Sequence, residues 1–168
     1  QKRKNRKEDI LMTIGQILAL VGVGIAVILS GMGSSKGVGL AGETAAGVSS
    51  ENPEVSSKLL VLQLLPATQG IYGFLVGIIV LINTGVLGGA MKAVSLEQGI
   101  AYIIACLPIG VVGYYSAIRQ ARVASAGMLM TGQRPEMSGK GVTMAVMVET
   151  YAVFALLVSF LMVNAIKL

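Results

Sequence analysis

One carboxylate in this sequence lies where a charged group is costly. Glu149 is surrounded by apolar residues, with Lys140 nine positions before it and Lys167 eighteen positions after it, which is about 13 Å and about 27 Å along a helix. An ionised carboxylate that deep in a membrane costs several kcal/mol unless it is protonated, paired or bound to a cation. The sequence therefore predicts that Glu149 is a functional, ion-carrying group.

A second polar group lies within an earlier apolar stretch. Thr68, Gln69 and Tyr72 follow Pro66, whose missing N–H loosens the preceding turn and leaves main-chain carbonyls free for another partner. Thr68 and Tyr72 are four residues apart and share a helix face. Tyr72 is interpreted as a hydrogen-bond donor that orients the membrane carboxylate, with ordinary packing as the alternative.

A further glutamine reaches the same depth when the chain folds into hairpins. Folding about residues 134–135 brings Gln120 level with Glu149. With Thr68 and Gln69, the set offers hydroxyl, amide and carboxylate oxygens, which are hard ligands carrying one negative charge. A proton would need Glu149 alone, so the pattern favours Na⁺ over a proton.

The composition excludes several other kinds of chemistry. The chain has no histidine, which excludes imidazole catalysis, and a single cysteine, Cys106, which excludes an internal disulfide. It has no Walker-type loop, so we expect no catalytic site and no ATP hydrolysis by this chain itself. Nucleic acid is not an expected partner, because the basic residues flank apolar stretches and no aromatic readout module accompanies them.

The same composition is typical of a membrane protein. The chain is 54% hydrophobic and 12% charged, whereas soluble domains are about 25% charged. Four stretches approach or exceed the ~20 residues that cross hydrocarbon, and they are residues 10–32, 59–87, 99–118 and 142–166. A basic tail, residues 1–9, precedes them. The predicted fold class is an all-α, multi-pass membrane protein with four transmembrane helices.

The four spans form two related pairs. Three features of the first pair recur in the second, and they are Pro53-Glu54 with Pro135-Glu136, Ala41-Gly42 with Ala126-Gly127, and Gln69 with Glu149. In the same order, the matched positions are separated by 82, 85 and 80 residues. We interpret the drift as loop shortening, with Gln69 in the position of Glu149. The prediction is a duplicated helical hairpin in parallel orientation, with the copies at residues 10–90 and 91–168.

Small residues recur every four positions in the first and third spans. They are Gly22, Ala26, Ser30 and Ser34, and then Gly113, Ala117, Ala121 and Ser125. Small residues let membrane helices approach closely. The pattern fits generic helix packing and the crowded inner layer of a ring equally well.

Three motifs together resemble a known family. They are Leu-Gln-Leu-Leu-Pro-Ala-Thr-Gln-Gly-Ile-Tyr-Gly-Phe (residues 62–74), Gly-Met-Gly-Ser-Ser-Lys-Gly-Val-Gly (31–39) and Met-Val-Glu-Thr-Tyr-Ala (147–152). From about residue 10 to its end, the chain is similar to the proteolipid K subunits of bacterial sodium-pumping V-type ATPases. The resemblance implies a four-helix subunit that assembles into a membrane rotor ring.

The resemblance also implies an ion-binding set. It predicts that Na⁺ is bound by the essential Glu149 and by the Leu65 main-chain carbonyl, Thr68, Gln69 and Gln120, with Tyr72 hydrogen-bonded to the carboxylate. It places the hairpin tips on the cytoplasmic side of the cell membrane, which the charge distribution leaves undecided. Arg119 is unexpected beside Gln120, and we interpret it as a snorkelling side chain.

The resulting prediction is a Na⁺-carrying rotor proteolipid that is driven by ATP hydrolysis in other subunits. The expected partners are identical subunits in a ring, a membrane stator subunit with a half-channel arginine, central-stalk subunits and lipid. The first hairpin lacks a counterpart of Glu149, so each subunit is expected to carry one ion. The alternatives are a proton-carrying rotor, a four-helix channel or secondary carrier, and a structural scaffold.

Overall fold

The structure is a computed structural model that describes residues 12–89 and 91–168, so the predicted basic tail lies outside it. The described residues form four long helices and no strand: α1 (Ile14–Glu51), α2 (Pro53–Asn83), α3 (Leu96–Gln133) and α4 (Pro135–Ala165). Each is long and apolar enough to cross a membrane. The predicted all-α architecture with four transmembrane helices is confirmed.

The starts of α1 and α3 are fixed by the same local device. The Thr13 hydroxyl accepts the N–H of Gln16 at 3.2 Å, and the Gln16 side chain accepts the N–H of Thr13 at 2.7 Å. Ser95 and Gln98 repeat this reciprocal pair at the same two distances. Each pair satisfies N–H groups that a helix start leaves without partners.

The ends of α1 and α3 are also alike. Both helices end two residues before a proline, because steric clash with the proline disfavours the helical conformation at the residue in between. Asn52 has φ −135° and ψ 84°, and Arg134 has φ −140° and ψ 89°. The two hairpin tips are linked, since the Asn52 side chain donates to the Gly132 carbonyl at 3.3 Å.

The second hairpin repeats the first with a constant shift, because every helix begins and ends 82 positions before its counterpart. The separations of 85 and 80 expected from side-chain matches were therefore wrong, and no loop is shortened. Capping residues and prolines fix the helix ends, so they record the register better than isolated side chains do. In this hairpin register Ala67, and not Gln69, corresponds to Glu149, and the first hairpin still lacks a carboxylate there.

The largest helix–helix contact joins α1 to α3, while α2 flanks α1 and α4 flanks α3. Glycine makes the approach of α1 and α3 possible. A Cβ added to Gly33 would lie 2.5 Å from the Cα of Tyr114, and one added to Gly37 would lie 2.9 Å from the Ala117 carbonyl oxygen. In lipid, such close packing takes the place of a hydrophobic driving force. It brings α2 and α4 together on one side of the α1–α3 pair.

α1 and α3 extend beyond the apolar stretches that were predicted to cross the membrane. Those stretches end at residues 32 and 118, whereas the helices themselves continue past Lys36 and Arg119 to Glu51 and Gln133. Each has 38 residues, or about 57 Å, against about 30 Å of hydrocarbon. Glu43 is an exposed residue of α1.

Candidate ion-binding site

The site begins at an interruption in α2. Residues Leu65–Ala67 form a single 3₁₀ turn between the α-helical segments Ser56–Leu64 and Thr68–Asn83. Pro66 is the cause, because it has no N–H and its ring clashes with a regular helical turn. The Leu65 carbonyl accepts the N–H of Thr68 three residues later. This tightened turn sets the direction in which the residues after Pro66 point.

Three oxygens lie close together at this turn. The Thr68 hydroxyl is 3.0 Å from the Leu65 carbonyl oxygen and 3.4 Å from Oε1 of Gln69. A hydroxyl has one hydrogen, so it can donate to only one of these two acceptors. The other contact brings two oxygens together with no hydrogen between them. Oxygens bound about 2.3–2.6 Å from one ion lie about 3–3.5 Å from each other, and this spacing suits a small cation.

Glu149, from α4, has hydrogen bonds to both carboxylate oxygens. The Tyr72 hydroxyl donates to Oε1 at 2.6 Å, and Nε2 of Gln120 donates to Oε2 at 3.1 Å. Glu149 and Tyr72 are half-buried, and Gln120 is fully buried. Both hydrogen-bonding partners are neutral, so they orient the carboxylate without cancelling its charge. A proton or a cation is still needed to neutralise it.

The two buried glutamines connect the oxygen cluster to the carboxylate. Nε2 of Gln69 donates to Oε1 of Gln120 at 2.7 Å, and Gln120 in turn donates to Glu149. The side chains predicted from α2, α3 and α4 therefore belong to one hydrogen-bonded group. Among the predicted ligands, Gln120 has its amide oxygen already engaged by Gln69, so direct binding of an ion by that oxygen would require the amide to turn.

Two serines contribute hydrogen bonds to the site but were not predicted to belong to it. Ser116 accepts from Nε2 of Gln69 at 3.3 Å and donates to the Val148 carbonyl at 3.2 Å. Its counterpart Ser34 accepts the N–H of Gly70 at 2.7 Å. Ser34 was recognised only as a small packing residue. For Ser116, the signal was its position four residues before Gln120, on the same helix face.

Arg119, whose predicted snorkelling stays a prediction, lies beside the hydrogen-bonded group on α3. It is exposed, and with Tyr115, Arg122 and Tyr151 it lines a groove of about 690 Å³ between α3 and α4. Among the described residues, the hydrogen-bond partners of the Glu149 carboxylate are Tyr72 and Gln120.

Comparison with known proteins decides the family. The family model for the C subunit of ATP synthase matches this chain twice, at residues 21–80 and 103–162. This chain belongs to the ATP synthase C-subunit family. Both the starts and the ends of the two matches lie 82 positions apart, which is the shift between the hairpins. The family match and the apolar helices together establish a multi-pass membrane protein.

Two relatives in this family are similar over most of the chain. V-type sodium ATPase subunit K of Enterococcus hirae is 42% identical over 149 residues, which are 89% of this chain and 92% of the relative. A-type ATP synthase subunit K of Methanocaldococcus jannaschii is 38% identical over 147 residues, which are 87% of this chain and 61% of the relative. These relatives confirm the resemblance inferred from the motifs. The ion-binding roles of the individual residues, and the hairpin boundaries at residues 10–90 and 91–168, stay predictions.

Proposed function

We propose that this chain is the rotor subunit of a V-type ATPase and that it carries Na⁺ on Glu149. The observation that carries the proposal is the oxygen cluster of Leu65, Thr68 and Gln69, which is joined through Gln120 to a carboxylate with neutral partners. The Enterococcus hirae relative, which shares 42% of its residues with this chain over the aligned length, is named as a sodium ATPase subunit.

The oxygen cluster favours Na⁺ over a proton. A proton on Glu149 would neutralise the carboxylate but would leave Thr68 with one hydrogen for two acceptors. A monovalent cation bound between the cluster and Glu149 would neutralise the carboxylate and would also bind the oxygen that the Thr68 hydrogen leaves without a partner. A divalent ion would leave a net positive charge in the membrane, because the site supplies one carboxylate.

The neutralised site explains how an ion would cross the membrane. With Na⁺ bound, the charges of ion and carboxylate cancel, so the site can face lipid at low cost. Rotation of a ring of identical subunits would carry the site between two half-channels of a stator subunit, where an arginine would compete for Glu149 and release the ion. ATP hydrolysis in other subunits, transmitted by a central stalk, would drive the turn.

The repeat sets the ratio of ions to helices in this mechanism. The first hairpin has Ala67 where the second has Glu149, so each four-helix subunit would carry one ion. For a given number of helices in the ring, this lowers the number of ions per turn and favours pumping against a steep gradient. The hairpin tips, where α1 and α3 extend beyond the hydrocarbon, would face the cytoplasmic ATPase sector.

Labelling by dicyclohexylcarbodiimide tests the site directly, because this reagent modifies a protonated carboxyl group in apolar surroundings. We expect it to modify Glu149 in the purified ring and expect Na⁺ to slow the reaction by occupying the site. Glu149→Gln should abolish both the labelling and the binding of radioactive Na⁺. The matched control is Glu43→Gln, which removes an exposed carboxylate of α1 and should leave both unchanged.

Two results would contradict this proposal. Labelling of Glu149 that is indifferent to Na⁺ would indicate a proton-carrying rotor. Ion flux through the purified subunit alone in liposomes, together with a small oligomer instead of a large ring, would indicate a channel or secondary carrier.

A further inference from the structure

The second part of α2 begins with a backbone N–H that its own helix does not satisfy. The α-helical segment Thr68–Asn83 starts directly after the 3₁₀ turn, and the residue at its cap position, Ala67, has no side chain that can accept a hydrogen bond. The first N–H groups of a helical segment have no acceptor inside it, and an unpaired N–H is costly within a membrane. Thr68 donates its N–H to the Leu65 carbonyl, but Gly70 needs an acceptor from another helix.

Ser34 of α1 supplies this acceptor. Its hydroxyl oxygen accepts the N–H of Gly70 at 2.7 Å, and the same hydroxyl donates to the Ala67 carbonyl at 3.4 Å. A capping side chain ordinarily belongs to the cap residue itself and accepts the N–H of the second or third helical residue. Gly70 is the third residue of its segment. Ser34 therefore acts as a helix cap that reaches α2 from a different helix.

The two backbone groups that contact Ser34 lie on either side of two proposed ligands. Thr68 and Gln69 are the residues between Ala67 and Gly70, and they carry the hydroxyl and amide oxygens of the cluster. One serine hydroxyl thus holds the backbone before and after both ligands. Residues further along the segment are held by the hydrogen bonds of the helix itself, so the effect of Ser34 is confined to the first turn.

The surface of α1 around Ser34 is shaped to receive this turn. A Cβ added to Gly37 would lie 2.8 Å from a ring carbon of Pro66, so a side chain at that position would push the turn away. On the α2 side, a Cβ added to Gly70 would lie 3.1 Å from the Ser34 hydroxyl oxygen. The glycine-rich motif at residues 31–39 is therefore the surface against which the interrupted part of α2 packs.

The repeat supplies an internal comparison. Ser116 corresponds to Ser34 in the hairpin register, and Val148 corresponds to Pro66, so α4 continues as a regular helix where α2 is interrupted. The partners of Ser116 are the Val148 carbonyl, to which it donates, and the Gln69 amide, from which it accepts. A serine at this position thus accepts a backbone N–H where proline interrupts the opposite helix and donates to a carbonyl where that helix is continuous.

We propose that Ser34 is a positioning residue of the ion site, which caps the second part of α2 and thereby keeps Thr68 and Gln69 aligned for Na⁺. It acts through the backbone and does not itself bind the ion. Without this cap the first turn would fray, and ordering it again when the ion binds would cost conformational entropy and lower the affinity. The inference rests on the proposed function, because the ligand roles of Thr68 and Gln69 are part of it.

Ser34→Ala in the purified ring tests this role through two readouts of dicyclohexylcarbodiimide labelling. We expect the Na⁺ concentration that halves the labelling rate to rise about fivefold, the usual effect of one lost helix cap on a local equilibrium. The labelling rate without Na⁺ should stay at the parent value, because Tyr72 and Gln120 still orient Glu149. A general loss of packing would change both readouts.

Ser159→Ala is the matched control. Ser159 is fully buried in α4 and accepts the N–H of Ile109, the residue after Pro108 in α3, at 3.1 Å. This is the same kind of hydrogen bond between helices, but Ser159 lies ten residues, or about 15 Å, from Glu149 along α4. The control should lower thermal stability as Ser34→Ala does, yet it should leave the half-protecting Na⁺ concentration unchanged.

Gly70→Ala is a second variant that keeps the serine, and it serves if Ser34→Ala does not assemble. Its Cβ would crowd the Ser34 hydroxyl oxygen, so the half-protecting Na⁺ concentration should again rise.

Three results would overturn the positioning role of Ser34. They are a half-protecting concentration equal to that of the parent, an altered labelling rate without Na⁺, and an equal shift in the Ser159→Ala control. If Na⁺ protects the parent and Ser34→Ala equally, this inference alone is removed. Labelling of the parent that is indifferent to Na⁺ removes the sodium function and this inference with it.

Discussion

At the scale of single residues, the site contains atoms that orient Glu149 and other atoms that are proposed to bind the ion. Tyr72 and Gln120 donate to the carboxylate and hold its two oxygens in place. Thr68 has a different position, because its hydroxyl is shared between two oxygens and touches neither carboxylate oxygen. A substitution at Thr68 therefore tests a proposed ion ligand that does not itself hydrogen-bond to Glu149.

We expect Thr68→Ala to weaken Na⁺ binding to the purified ring by about 10–100-fold, the equivalent of about 1.5–3 kcal/mol for one hydrogen bond or ligand to a charged group. The ring itself should stay assembled, because Thr68 is only half-buried and packs no core. Binding of radioactive Na⁺ measures the change. Thr68→Ser keeps the hydroxyl and should bind nearly as the parent does, and equal binding by the alanine variant would show that the hydroxyl is not a ligand.

At the scale of elements, the 3₁₀ turn in α2 is the feature that sets the direction of the proposed ligands. Without it, the backbone from Leu65 onward would continue as a regular helix, and the residues after it would rotate and shift relative to α4. The turn also brings the Thr68 N–H and hydroxyl onto the same Leu65 carbonyl. The site thus depends on a local irregularity that is less stable than a continuous helix.

We expect Pro66→Ala to lower Na⁺ affinity even though alanine favours the helix by about 3 kcal/mol over proline at an interior position. The cause would be the loss of the turn that aligns Thr68 and Gln69. The matched control is Pro108→Ala in α3, twelve residues or about 18 Å from Gln120 along the helix, which should leave affinity unchanged. Na⁺ binding and thermal unfolding of both variant rings would show whether the change in affinity is separate from the change in stability. Equal Na⁺ affinity in the two variants would contradict this role of Pro66.

At the scale of the whole molecule, the close contact of α1 with α3 determines where all other parts lie. α2 and α4 are attached to this pair on the same side, so the distance between Tyr72 and Glu149 depends on how closely α1 and α3 approach. Gly33 allows that approach because it leaves room for the backbone of Tyr114. The inner pair is therefore a structural requirement for a site that lies outside it.

We expect Gly33→Ala to lower stability, because its Cβ would meet the Tyr114 backbone at 2.5 Å and overpacking costs about 1–3 kcal/mol or more. Gly47→Ala is the matched control, since a Cβ there has nothing within 4 Å and alanine favours a helix by about 0.5–1 kcal/mol over glycine. Thermal unfolding in detergent measures both. A Gly33→Ala protein as stable as Gly47→Ala would contradict the close contact.

The sequence by itself determined the number of spans, the pairing of the hairpins and the position of Glu149 within the last apolar span. These depend on residue counts, apolar length and turn residues, which do not require knowledge of neighbouring helices. The same counting placed Gln120 level with Glu149. Pro66 indicated that a nearby main-chain carbonyl was available, and the family motifs assigned that predicted role to Leu65.

Only the tertiary structure decided the register of the repeat, the full length of α1 and α3, and the hydrogen bonds that connect Gln69 through Gln120 to Glu149. Isolated side-chain matches gave Gln69 as the counterpart of Glu149, whereas the helix ends give Ala67. Ser116 was passed over because its role depends on contacts with α2 and α4. The physical reason is the same in each case: direction and contact across helices depend on how closely the backbones approach, and that distance is set by all four helices together.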